Sequence, residues 1–383
     1  MDIAAHPGGV ARPRSAVAAL RIDAERAGAL TVLLGTVVSL IGLSWDVQWH
    51  NDVGPDTFFT LPHLFLYSGS AIAGFASLAM VLRATAAQRA DRDITGFRGG
   101  VPVRVFGGMF TAPLGYMVAG AGAASFLLYG LLDLAWHSIY GFDAVLNSPP
   151  HIALFLSMSI TMAGSLIIFA SAREQLWGRT GFVLAVPILM TFTPITVLAF
   201  AALPLPVDPR TLGTIFFVVL LLILSAGVLR LPYGAVLVAV ALGAMQGVLW
   251  WFSPWAARVY ADWVGLPLRD GLVAHPPSIP SAIPVCLIIA AVVVDGIRWQ
   301  ALRRGWPTRW LPALMGAVGG LVIGVTFPMQ HVLLWHLATP SVSRLVTIGV
   351  WGIAIGALAG FLGQRIALLL RYDELVALSG KGR

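Results

Sequence analysis

Apolar runs of nearly twenty residues recur along this chain, separated by short polar breaks. They fall at about 28–45, 62–83, 109–134, 151–171, 182–203, 211–229, 233–253, 280–296, 311–335 and 345–364. A helix of roughly twenty apolar residues crosses about 30 Å of hydrocarbon. The runs are too long for strands, so they predict ten transmembrane helices in an all-α, polytopic membrane bundle. Composition agrees: 58% of the residues are hydrophobic and 11% charged, against about a quarter charged in soluble domains. Residues 1–26, with Arg12, Arg14, Arg21 and Arg26, lack the apolar core and cleavage site of a signal peptide and read as a mobile arm.

Charge orients the spans. Arginines cluster before the first run, between the second and third, and after the fourth, sixth, eighth and tenth. The breaks after the first and third runs carry Asp52, Asp56 and Asp143 but no Lys or Arg. The positive-inside rule then puts both termini in the cytoplasm and these two breaks at the outer face, in a bacterial-type inner membrane. The net charge of +7 is this cytoplasmic excess and implies no nucleic-acid partner; the expected surroundings are the lipid bilayer. Cys286, the single cysteine, excludes a disulfide within the chain and a cysteine-rich metal site.

The two acidic breaks carry the chemistry. Asp46-x-x-Trp49-His50, then Gly54, Asp56, Pro62 and His63, is repeated as Asp133-x-x-Trp136-His137, then Gly141, Asp143, Pro150 and His151. The chain has eight histidines, and four of them fall in these copies. An Asp and a His four apart share one helical face. Pro62 suits a first helical turn, so His63 comes to lie at the depth where the first span ends. Two hairpins of equal orientation would therefore each present two imidazoles and one carboxylate. That donor set suits zinc, copper or non-haem iron. Asp56 and Asp143 read as acceptors supporting a ligand N–H.

Blander readings compete. Trp45, Trp49 and Trp136 could form an interfacial aromatic belt with His and Asp merely at wet helix ends; two triads in register favour metal. Paired histidines could also hold a haem, which leaves the matched aspartates unused.

The spacing resembles the third, membrane-embedded component of the copper membrane monooxygenases, the particulate methane and ammonia monooxygenases. That component has Asp-x3-His-x12-His and Asn-x3-His-x13-His ligand sets on its transmembrane helices. Asp46, His50 and His63 match the first; Asp133, His137 and His151 match the second, with Asp133 where the family has Asn. Trp49-His50, Asp56-Thr57, Phe59-Thr60 and the proline before His151 are similar in wording. The likeness covers about residues 28–172. It implies bound copper, O2-dependent oxidation of a small apolar substrate, and partner subunits or a homo-oligomer. Metal transport or handling, and zinc-dependent hydrolysis with Asp56 or Asp143 as base, are the alternatives.

These readings divide the chain into an arm (1–26), a metal-binding four-helix unit of two repeated hairpins (27–172) and a six-helix unit without assigned role (173–383). Within the last, Met245-Gln246-x-Val248-Leu249-x-Trp251 echoes Met329-Gln330-x-Val332-Leu333-x-Trp335. Val248 and Val332 stand where a ligand Asp would be, and His331 and His336 diverge around a helix, so packing roles are expected there. The break from Ser253 to Ser278 is the longest outer one and could roof the metal sites.

Overall fold

The computed structural model describes residues 14–94, 96–141, 147–272, 276–277 and 285–371, with side chains from Ala24 onward. Among the described residues ten helices of 18 residues or more are formed: α1 (Arg14–Asp52), α2 (Leu61–Arg89), α3 (Leu114–Tyr140), α4 (Pro149–Ser171), α5 (Leu176–Thr196), α6 (Pro209–Leu229), α7 (Gly234–Val264), α8 (Leu287–Arg304), α9 (Leu311–Trp335) and α10 (Val342–Leu369). Nine of them, among the described residues, are long and apolar enough to cross a membrane. The chain is an all-α, multi-pass membrane bundle.

Three boundaries differ from expectation. Helix α1 begins at Arg14, so residues 14–26 prolong the first helix instead of ending an arm, although its apolar part starts only at Ala24. The run from 109 is not all helix. Phe110–Pro113 (β2) pairs antiparallel with Pro102–Val105 (β1), Val103 lying opposite Ala112. Two prolines, the Gly107-Gly108 pair and β-branched Val103, Val105 and Thr111 favour a short hairpin over a helical turn there. Helix α8 is short and carries Asp295, Arg298, Arg303 and Arg304; the residues 278–284 that would lengthen its apolar run lie outside those described.

Small residues set the helix pairs. In α1/α2, Gly35 faces Gly69 and Ala73; in α3/α4, Gly122 faces Ser157 and Thr161 while Gly164 faces Ala119. In α9/α10, Gly316 and Gly320 meet Gly352, Gly356 and Gly360, and a methyl at Gly320 would overlap the Gly352 carbonyl. Lipid offers no hydrophobic drive between helices, so such close backbone approach supplies the packing. Helix α2 also packs on α3, and α1 on α4, α5 and α7. The α1–α2 and α3–α4 connections thereby meet at one end of the bundle.

At the opposite end, arginines bond the last carbonyls of the helices. Arg173 donates to Ala170 and Leu370, Arg298 to Ala226 and Leu231, and Arg371 to Gly227. Helix C-termini leave carbonyls without intrahelical donors, and a guanidinium complements both them and the helix dipole. Asp295 does the converse, accepting from the Val236 N–H at the start of α7.

Candidate metal centre

The first group is assembled by the end of α1, the short loop after it and the start of α2. Asp46 and His50 are one turn apart, on the same face. Beyond Asp52 the chain turns back through Gly54, whose φ of +105° favours glycine. Trp49 Nε1 donates to the carbonyl of Pro55 at 2.8 Å, clamping the turn onto α1. Asp56 Oδ1 accepts from Thr57 N at 2.8 Å, and Thr60 Oγ1 accepts from the same N–H. Helix α2 then starts, with Pro62 in its first turn, and His63 Nδ1 donates to the carbonyl of Thr57 at 3.0 Å.

Four donors converge as a result. His63 Nε2 lies 3.0 Å from Asp46 Oδ1 and 3.3 Å from Asp56 Oδ2. His50 Nε2 lies 3.2 Å from Asp56 Oδ2 and 3.9 Å from Asp46 Oδ1. The spacing alone puts Asp56 behind an imidazole; instead it faces Nε2 of both, as one of the converging donors. Burial alone would raise its carboxyl, but His50 beside it, the charge of His63 and the Thr60 hydroxyl hold it below the usual value.

The second group repeats the construction between α3 and α4. His137 Nε2 and His151 Nε2 each lie 3.5 Å from Asp133 Oδ1, and the two rings are 5.4 Å apart. His137 Nδ1 donates to the carbonyl of Gly141 at 3.0 Å. Ser148 caps α4 by accepting from His151 N, and its hydroxyl meets His151 Nδ1 at 2.9 Å. Three donors converge here. Asp143, the expected counterpart of Asp56, lies outside the described residues.

The hydrogen bonds fix what these groups can do. A carbonyl only accepts, so the Nδ1 atoms of His63 and His137 carry a proton. Their Nε2 atoms face carboxylate oxygens, forming a charged pair when protonated and offering a lone pair to an ion when not. Asp46 Oδ1 and Asp133 Oδ1 are buried, with the imidazole Nε2 atoms as their polar neighbours. Such an array needs positive charge among its atoms, supplied either by the imidazole protons or by a bound metal ion. Ligand atoms in each group lie within 4.8 Å of one another, so small shifts of the side chains would bring all of them to about 2 Å from one ion. Tying Nδ1 to a carbonyl is how proteins orient imidazole ligands.

Both groups open into one cavity of about 690 Å³. Its polar wall is Asp46, His50, Asp56, His63, Asp133, His137 and His151; its floor is Leu43, Leu66, Phe126, Leu154, Phe155 and Met158. Helix α7 runs to Val264, so the expected roof from Ser253 shrinks to the segment after it. There Arg269 bonds through N to the Asp52 carbonyl at 2.8 Å and through Nε to Val53, and its guanidinium covers Gly54 at the cavity wall. His275 lies outside the described residues.

Trp45 and Trp49 are not a belt. Both are buried, 6% and 1% exposed. Trp45 packs edge-on to Phe65, Phe252 and Tyr260, and Trp49 lies against Tyr260. His331 has the packing role expected of it: its ring sits between Phe327 and Trp335, and Nδ1 donates to the Phe327 carbonyl. Tyr67 also lines the cavity, a residue that the motif pattern does not single out. Its signal is its place, one helical turn after His63.

The chain matches no family model, no curated protein and no solved structure.

Proposed function

We propose that this membrane protein binds two transition-metal ions and uses them in the O2-dependent oxidation of a small apolar substrate, with copper as the metal. Asp46, His50, Asp56 and His63 hold one ion; Asp133, His137 and His151 hold the other. The observation that carries the metal assignment is the convergence of the donors, with Nδ1 of His63 and His137 spent on carbonyls and Nε2 turned on buried carboxylate oxygens, all ligand atoms of a group lying within 4.8 Å of one another. Copper and the redox reaction rest on the likeness of spacing to the membrane component of the copper monooxygenases. Copper, when bound, supplies one-electron chemistry beside the cavity. The chain's own part is to fix the ligands, to offer an apolar floor to a substrate, and to limit water at that depth. The arginine distribution supports cytoplasmic termini and a cavity opening outward, and the likeness supports an assembly with partner proteins.

Zinc hydrolysis has weaker support. Asp56, one of the two carboxylates it would use as base, faces both imidazoles of its own group and is not free to receive a proton from water; the other, Asp143, lies outside the described residues. Metal transport needs a path inward, yet below the cavity Thr36, Ser39, Ser70 and Thr161 close around a space with no room for a water.

The test is metal analysis of protein purified in native lipid, with electron paramagnetic resonance. About two copper ions per chain and nitrogen hyperfine coupling are expected. Stoichiometric zinc with no copper uptake would overturn the redox reading, and a metal-free protein that takes up no ion would overturn the metal sites.

A further inference from the structure

The two histidine groups are related copies, so their differences around the cavity are informative. Three and four residues after His63 stand Leu66 and Tyr67; three and four after His151 stand Leu154 and Phe155. All four line the cavity. The leucines correspond, and the aromatic rings correspond. The difference is one hydroxyl.

That hydroxyl has no evident structural task. Tyr67 packs through its ring, against Phe58 at 5.0 Å and against His63 and Phe126 at 6.1 Å each. Among the described residues its oxygen makes no hydrogen bond to the protein. Tyrosine hydroxyls in partly buried places ordinarily find a partner, and phenylalanine would fill the same ring contacts, as it does at 155. Tyr67 also lines the one cavity that is shared by Asp46 and Asp56 of the first group and Asp133 of the second.

We propose that the cavity joining the two groups is a single ligand site, in which the Tyr67 hydroxyl donates a hydrogen bond to an acceptor atom of a small ligand. The ligand class follows from the walls. An acceptor oxygen or nitrogen sits at the polar wall between the groups, and an apolar body of a few carbons rests on Leu43, Leu66, Phe126, Leu154, Phe155 and Met158. With both groups filled by divalent ions, the three aspartates leave the wall with net positive charge, so the acceptor atom is preferably anionic. Tyr67 is then a ligand-positioning residue serving both groups at once. This inference rests on the metal reading given above.

The probe is azide, followed by its charge-transfer band on Cu(II)-loaded protein, with acetate and butyrate as competitors. Metal content is measured on the same samples. Tyr67→Phe keeps the ring and removes a hydroxyl without a protein partner, so folding and metal content should be unchanged. Azide should bind at least about tenfold more weakly, the loss expected for a hydrogen bond to a charged acceptor. Butyrate, with two more methylenes than acetate, should displace azide from wild type about tenfold better. Unchanged azide affinity in fully loaded Tyr67→Phe protein would overturn the role of Tyr67, and equal competition by acetate and butyrate would overturn the apolar subsite. Wild-type protein that takes up no copper would overturn the metal reading instead, and this inference with it.

Discussion

The indole Nε1–H of Trp49 bonds the carbonyl of Pro55 at 2.8 Å, and that bond sets how closely Asp56 approaches His50. Trp49 does not line the cavity and is buried against Tyr260. It acts on the first group only through the turn. Trp49→Phe keeps most of the packing and removes the donor, at a cost of about 1 kcal/mol in stability. Metal affinity of the first group should fall roughly 10–100-fold, as for other supporting partners. The second group should be unaffected. Metal titration of the variant checks this, and equal losses at both groups would speak for general unfolding instead.

Asp56 is expected to matter more than a supporting residue. Its Oδ2 faces both imidazoles, so Asp56→Asn removes a charged donor from among the ligands. A loss of more than about 100-fold in divalent affinity is expected at the first group, beyond the range of outer partners. A loss of about tenfold or less would return Asp56 to a supporting role.

His63→Ala should empty the first group and leave the chain in the membrane. His63 begins α2, whose 29-residue span keeps its hydrophobicity without it. Metal analysis of the membrane fraction tests both parts together. Unchanged metal in this variant and in His50→Ala would remove the first site from consideration.

Much of this arrangement is legible in the sequence because it is local. The Asp46–His50 and Asp133–His137 pairs follow from the helical repeat, and His63 and His151 follow from prolines that start helices. Most spans follow from the cost of unpaired backbone in lipid, which leaves helices as the answer to a long apolar run. What escapes is tertiary. The loop position of Asp56 depends on the Trp49–Pro55 bond, which no spacing encodes. Helix α7 continues past its apolar run because Ala256, Ala257 and Ala261 are buried, beside Trp45 and Trp49 of α1. Those tryptophans look like a belt in the sequence because their burial is supplied by a helix two hundred residues later. The 102–113 hairpin is hidden inside an apolar count that ignores β-branching and proline.

Gly320 tests the packing of the second half separately from the sites. A side chain there would collide with the Gly352 carbonyl across α9/α10. Overpacking of this kind costs about 1–3 kcal/mol or more. Gly320→Val should lower the thermal stability of the detergent-solubilised protein while the metal affinities of the folded fraction stay near wild type. Full stability would mean that the two helices separate without penalty.

The two groups should respond differently to loss of their first aspartate. In the first, Asp46 shares the charge with Asp56; in the second, among the described residues, Asp133 is the single carboxylate beside His137 and His151. Among the described residues, Asp133→Asn therefore removes the anionic charge of its group, where Asp46→Asn leaves one carboxylate in place. Charges at this depth are poorly screened, so each counts for more than at a wet surface, and hard anionic oxygen donors favour divalent ions over Cu(I). Asp133→Asn should weaken zinc or Cu(II) at the second group by more than about 100-fold and leave the first nearly intact. Asp46→Asn should cost its own group less. Titration of both variants in one detergent gives the comparison. Equal losses would mean that Asp56 does not share in binding, and unchanged divalent affinity in Asp133→Asn would reduce the second group to a histidine pair.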